Sequence, residues 1–512
     1  MNGAESLVRT LGASGVDTCF ANPGTSEMHF VAALDQVGGI RCILGLFEGV
    51  VTGAADGYAR MAGKPAATLL HCGPGLANGL ANLHNARRAA SMVVNCVGDQ
   101  ATGHRPLDAP LTADTEGWAR GVSSWVRTAA NAAEVGVAGA EAVRAARTSP
   151  GGIATLILPS DTCWNPGGVV AAPLPVPPAP MVAPHVVGEI ARVLRRGEPA
   201  MLLLANDALR TGALAAAHRI AAATGAQLWA PHGNRRIEHG AGRFPIARVP
   251  YVVDTAVATF ANIRHVILVG EPRPPVGFFA YPGKPGIMTP PGAEVHVLAR
   301  PEQNLLAALE ALAEELGAPA VPSPAGSQPE AATGAVTAES FAASLAALLP
   351  EGAIVVEESV SFGRGCYPAC HFSPPHDWLA ITGGAIGCGI PLATGAAVAA
   401  PGRRVVTLEA DGSALYTLQG LWTQAREGLD VTTVVLANRK YAILLREFAN
   451  VGAVPGPIAH TMMDLERPCL DFVALAKGLG VEAAQAADMA AFNDLFAASL
   501  RHKGPFLIEL AI

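Results

Sequence analysis

Charge is scarce in this chain of 512 residues: Asp, Glu, Lys and Arg together make up 15%, and aromatic residues 5%. The basic residues never gather into a block able to neutralise a phosphate backbone, and the formal net charge is -7, so no nucleic-acid partner is expected. Nine cysteines are scattered from Cys19 to Cys469 without the dense spacing of a disulfide framework, which suits a reducing, cytoplasmic compartment. Cys366, Cys370 and His371 come nearest to a zinc pattern, but no second ligand pair accompanies them, and ordinary loop thiols are the simpler account. No apolar run is long enough to cross a bilayer, and no basic leader followed by an apolar stretch opens the sequence, so no membrane partner is expected either. A Gly-x-Gly-x-x-Gly fingerprint opening a helix is missing from the middle of the chain, and neither FAD nor NAD is expected there.

What the chain does have is apolar residues, half of the total. That is enough to bury more than one core, and 512 residues are too many for a single one. The first segment alternates helix-like stretches with short apolar runs, ILGLF (43–47), ATLLH (67–71), SMVVNCV (91–97) and IATLILP (153–159), the pattern of a parallel sheet covered by helices. Two stretches rich in proline and small residues, 165–184 and 316–335, are unsuited to helices or central strands and read as linkers. Between them lie a helix near 185–196, the strand AMLLLA (200–205), a helix at 213–224 and the strand HVILVG (265–270). The third segment returns to the style of the first. The expected fold is therefore α/β, with three domains at 1–165, 183–318 and 336–512, each a mainly parallel sheet flanked by helices.

The chemistry is suggested by Asp411-Gly412-Ser413 directly after the strand RRVVTLE and by Asn438, 27 residues on, directly after VTTVVLA. Both fall at C-terminal ends of parallel strands, where ligands of open α/β sheets bind. A carboxylate and an amide oxygen converging there suit Mg2+, which completes its octahedron with phosphate oxygens. The same residues also read as ordinary turn formers. Glu48 stands directly after an apolar strand and opens a Gly/Ala-rich helix. An ionised carboxylate in a buried setting is costly unless paired, although an acid at a helix N-terminus also satisfies the macrodipole.

Five motifs now extend the pattern: ANPGTSE (21–27), FEGVVTGAADGYAR (47–60), LLHCGPGLANGLANLHNA (69–86), ITGGAIGCGIPLATG (381–395), and ADGSALYTLQGLWT (410–423) with VVLANRKYAIL (434–444). In this order they resemble the thiamine diphosphate (ThDP)-dependent enzymes of the pyruvate decarboxylase and acetolactate synthase type. Within that superfamily the benzoylformate decarboxylases and the acetolactate synthase large-subunit homologues are the most similar. The resemblance implies that Glu48 hydrogen-bonds N1' of the cofactor's aminopyrimidine ring and that Ile386 is the bulky residue over which the cofactor bends. Gly384 would accept from the amino group through its carbonyl. Asp411, Asn438 and the carbonyl of Lys440 would hold Mg2+, and Gly412, Ser413 and Tyr441 would lie around the diphosphate.

Ser26 and His71 match the residues that contact the substrate carboxylate and move protons near its carbonyl, a task suited to imidazole. Read on their own, Ser26 is equally a helix N-cap and His71 a packed histidine at a strand end. The resemblance further implies a homodimer or homotetramer whose sites are shared between subunits, and a 2-oxo acid substrate decarboxylated through an enamine. Acetolactate synthesis and a non-catalytic regulatory homologue are the alternatives. The sequence departs from the benzoylformate decarboxylase pattern where a second active-site histidine is usual: Gly277 stands there, beside Phe278 and Phe279. Ala410 replaces the first glycine of the usual GDG. The segment 446–468 is expected to cover the site as a helix and mobile loop, with Phe448, Met462 and Met463 as candidate substrate contacts.

Overall fold

The computed structural model describes residues 1–512, folded around three sheets. The first contains β1 (Thr18–Asn22), β2 (Arg41–Leu44), β3 (Ala66–Leu70), β4 (Val93–Asp99), β5 (Trp125–Thr128) and β6 (Ile153–Pro159), all parallel, in the order β2-β1-β3-β4-β6-β5. Its central strands β3, β4 and β6 are buried at every position, because helices cover both faces and leave no side of the strand for water. The second sheet contains β7 (Ala200–Leu204), β8 (Gln227–Ala230), β10 (Ala247–Arg248), β11 (His265–Val269) and β12 (Glu294–Ala299), ordered β10-β8-β7-β11-β12. The third runs β17-β18-β16-β15-β13-β14-β9, with β9 (Ile237–His239), β13 (Ile354–Glu358), β14 (His376–Ala380), β15 (Val405–Ala410), β16 (Val431–Ala437), β17 (Glu482–Ala486) and β18 (Phe506–Ala511).

The edge strand β9 (Ile237–His239) comes from the middle of the sequence and pairs antiparallel with β14, His239 opposite His376. Arg236, just before it, reaches Asp377 at 2.6 Å, so an ion pair as well as a ladder joins the middle segment to the third sheet. No helix of the structure is long and apolar enough to cross a membrane.

The run ILGLF does not stay in the sheet to its end. Strand β2 stops at Leu44, and a Cβ on Gly45 would lie 2.8 Å from Val51 Cγ2, so the chain turns away there and Phe47 caps the helix Glu48–Ala62. That helix packs along the helix Gly389–Ala399 from the third segment. Their backbones come so close that a Cβ on Gly57 would meet Leu392 O at 2.0 Å and one on Gly395 would meet Ala54 O at 1.8 Å. The small-residue character of both helices is thus a packing requirement. The contact carries the start of one helix, at Glu48, to the turn that precedes the other.

Candidate active site

Glu48 is the first residue of its helix and is buried. Asn78 Nδ2 donates to its Oε2 at 3.0 Å, while its Oε1 accepts no hydrogen bond from the chain. A Cβ on Gly75 would lie 2.9 Å from that Oε1 and 3.4 Å from His71 Cβ, so the carboxylate and the base of the His71 side chain flank one glycine. His71 occupies the N-cap position of the helix Cys72–Arg88 and is half-buried. Its Nδ1 faces Glu27 Oε2 at 2.8 Å, and the same oxygen accepts from Gly24 N at 2.7 Å. Glu27 therefore orients the ring through Nδ1 and leaves Nε2 without a partner in the chain.

Ser26 sits in the 3-10 turn Thr25–Glu27 rather than at an N-cap, so its hydroxyl is not committed to a helix terminus. The Cys72 thiol lies 3.3 Å from Ser26 Oγ, and burial pushes that thiol up to about 11, so it stays protonated at neutral pH.

The polar face of the helix Cys72–Arg88 then reaches across to the third segment. Asn82 Nδ2 donates both to Gly49 O at 2.8 Å and to Gly387 O at 3.2 Å. Asn85 donates to Ala385 O at 2.7 Å and accepts from Ala385 N at 3.2 Å, and His84 Nε2 approaches Gly383 O at 3.1 Å. These contacts clasp the turn that carries Gly384 and Ile386. Gly384 takes φ +79, a conformation that side chains rarely adopt, and its carbonyl accepts no hydrogen bond from the chain. An unpaired carboxylate oxygen and an unpaired carbonyl are acceptors of the kind that a ring bearing both a basic nitrogen and an amino group needs.

Behind the turn, Glu358 accepts from Gly387 N at 2.7 Å and also from Gly389 N. Glu409 lies opposite it in the β13–β15 register. Burial, and in Glu409 also the neighbouring carboxyl, raises both above the usual carboxylate range, because two adjoining buried acids cannot both ionise.

The region around Asp411 is shaped by backbone. Asp411 begins a short helix at the end of β15, and its carboxylate accepts from Gly412 N at 2.8 Å and from Arg439 N at 2.5 Å. Burial pushes Asp411 up despite those donors, so a nearby cation would be welcome. Asn438 Oδ1 accepts from Lys440 N at 3.0 Å, and Arg439 is held at φ +55 between them. The Lys440 carbonyl accepts from Ala442 N at 2.9 Å and keeps a second lone pair. The Tyr441 ring covers Gly412, where a Cβ would meet Cε1 at 2.5 Å, and Ser413 is buried in the same turn. Ala410 has φ -80 and ψ 142, so alanine costs nothing at that position. A carboxylate, an amide oxygen and a carbonyl form a hard-oxygen set of the kind Mg2+ takes.

The middle segment also contributes. Phe278 packs against Gly384, 3.1 Å from where a Cβ would stand, and stacks edge-on with Phe279. The segment 446–468 forms the end of the helix Ala442–Asn450 and the helix Pro457–Met463, neither with a buried residue, and Met462 is 68% exposed. Cys366, Cys370 and His371 do not converge as ligands: both thiols are buried, and His371 Nδ1 approaches His239 Nε2 at 2.5 Å. Sequence reasoning missed Glu27 and the Asn78, Asn82, Asn85 face, although the spacing of the three asparagines along one helical side was visible.

Residues 1–118 match the family described as thiamine pyrophosphate enzyme, N-terminal TPP binding domain, and residues 363–510 match its C-terminal TPP binding domain. The chain is 53% identical to the "Putative acetolactate synthase large subunit IlvX" of Mycobacterium tuberculosis, over 100% of this chain and 99% of that one. It is 31% identical to the benzoylformate decarboxylase of Pseudomonas aeruginosa, over 97% and 96% of the two. Among solved structures, the thiamine diphosphate-dependent 4-hydroxybenzoylformate decarboxylase of Rhodococcus jostii superposes with a TM-score of 0.85 at 25% identity, covering 99% of this chain and 98% of its own. The chain belongs to the thiamine diphosphate-dependent enzymes of the pyruvate decarboxylase and acetolactate synthase superfamily.

Proposed function

We propose that this enzyme is a Mg2+- and ThDP-dependent decarboxylase and carboligase of a 2-oxo acid. The observation that carries the reading is a pair of unpaired acceptors, Glu48 Oε1 in the first segment and the Gly384 carbonyl in the third, one on each of the two segments that match ThDP-binding domains. ThDP, when bound, supplies the carbanion chemistry that makes or breaks a bond next to a carbonyl. Glu48 holds a proton against the ring nitrogen, and Gly384 orients the amino group. Asp411, Asn438 and Lys440 would hold the metal through oxygen. Ser26 positions the substrate carboxylate, and His71 carries protons at Nε2, its other nitrogen held by Glu27.

Phe278, which packs against Gly384, and Phe279 are exposed, at 53% and 62%, and beside them Gly277 stands where a histidine is usual in benzoylformate decarboxylases. That substitution, and the name borne by the 53% identical relative, favour a second reading in which pyruvate is joined to another 2-oxo acid. Assaying pyruvate and benzoylformate side by side, with acetolactate and aldehyde both quantified, separates the two. Aldehyde from benzoylformate supports the first reading, and acetolactate from pyruvate alone supports the second. Turnover of neither, nor of other aliphatic and aromatic 2-oxo acids, with cofactor bound, contradicts both.

A homodimer or homotetramer with shared sites also belongs to this proposal. Mixing Glu48→Gln and Asp411→Ala chains after subunit exchange would restore activity if each site draws one half from each subunit. It would restore none if each chain builds its own site.

A further inference from the structure

We propose that His265, Glu294 and His296, at the edge of the second sheet, form a binding site for a transition-metal dication of the Zn2+ type, apart from the cofactor site. The register places them. His265 pairs with Glu294 across β11 and β12, and His296 lies two residues beyond Glu294, so all three side chains share one face of the pleat. His265 Nδ1 stands 3.2 Å from His296 Nε2 and 3.6 Å from Glu294 Oε2, and His296 Nε2 stands 3.7 Å from the same carboxylate oxygen. Zinc bonds of about 2.0–2.2 Å set at the tetrahedral angle need ligand atoms about 3.4 Å apart. An ion therefore fits among the three with small movements.

A second observation points the same way. His265 Nε2 lies 3.0 Å from Glu198 Oε2, so its proton sits on Nε2 and its Nδ1 lone pair faces the other two ligands. A carboxylate behind a histidine is the arrangement that orients and strengthens a metal-bound imidazole. His265 is rigid, its side chain 4% exposed, while Glu294 at 63% leaves the fourth position open to water. Without an ion, His296 Nε2–H donates to His265; on binding, that proton moves to His296 Nδ1, and none need be released. Arg196 and Arg264 line the same groove, and Arg264 comes within 3.7 Å of Glu198. Two carboxylates facing two guanidiniums offer no net charge to attract a hard cation, so the imidazoles select Zn2+, Co2+ or Ni2+ over Mg2+ and Ca2+. Occupancy would pin the edge strand β12 to β11.

The test is calorimetric titration of Zn2+ into the tag-free holoenzyme in excess Mg2+, alongside His296→Ala and Glu198→Ala. The wild type should take up one more equivalent of Zn2+ per chain than His296→Ala, and Co2+ should give visible d–d bands that disappear in that variant. Glu198→Ala should bind about 10- to 100-fold more weakly. Both variants should keep their turnover, which shows that they are folded. Equal Zn2+ stoichiometry and affinity in the wild type and His296→Ala would overturn the proposal, because binding elsewhere on the chain is common to both.

Discussion

The two ends of the proposed cofactor site are built by different means. At the Glu48 end side chains do the holding: Asn78 grips the acid, Asn82 and Asn85 clasp the turn of Gly384, and Glu27 fixes His71. At the Asp411 end the backbone does it, through two N–H groups on one carboxylate and a left-handed residue between the oxygen donors. An end held by several side chains loses strength by degrees, whereas an end that converges on one carboxylate fails when that group is removed. The largest effect should therefore follow from Asp411→Ala. Its Mg2+-dependent affinity for ThDP should fall by more than the roughly 10- to 100-fold that loss of an outer-shell partner causes. Calorimetry that found the affinity unchanged would erase the contrast between the two ends.

At the other end Glu27→Gln should act on rate and spare binding. The imidazole loses its carboxyl partner, and kcat should fall by about 10- to 100-fold, at or below the low end of the contribution of a positioned acid or base. Steady-state kinetics with ThDP affinity measured in parallel would show it, and a loss confined to cofactor affinity would place Glu27 in the wrong role. Smaller still is the cost of Asn85→Ala, which strands the Ala385 groups and should lower unfolding stability by about 1–3 kcal/mol in a urea titration.

The mildest prediction concerns pH and lies away from both ends, in the contact between β9 and β14. Burial drives His376 down to about 4 from its ordinary 6.5 and holds His239, 3.1 Å away, well below that value as well. The unfolded chain then binds more protons than the folded one between those two pH values. Stability should be fully present above pH 6.5 and decline as pH falls toward 4, with a shallower slope in His376→Gln. Thermal melts across that window would check the sign.

The sheets were legible because apolar runs such as IATLILP have only one way to be buried on both faces. The short β9 was not, since three residues carry no period and their pairing with β14 is a tertiary event. Strand β2 was read three residues too long because nothing local shows that Gly45 must leave room for Val51. In the site, Asp411 and Asn438 stood out by their places after strands. The asparagine clasp did not, because amide side chains look alike whether they face water or another segment. Glu358 and Glu409 were hidden for a different reason: within their strands, acids read as solvent-facing until both faces prove to be covered.

The central claim is that one ThDP molecule is gripped by Glu48 and anchored at Asp411, and Glu48→Gln tests it most directly. The variant should bind ThDP and Mg2+ with wild-type affinity in calorimetry while its turnover drops by at least about 100-fold. Wild-type turnover in that variant would contradict the account.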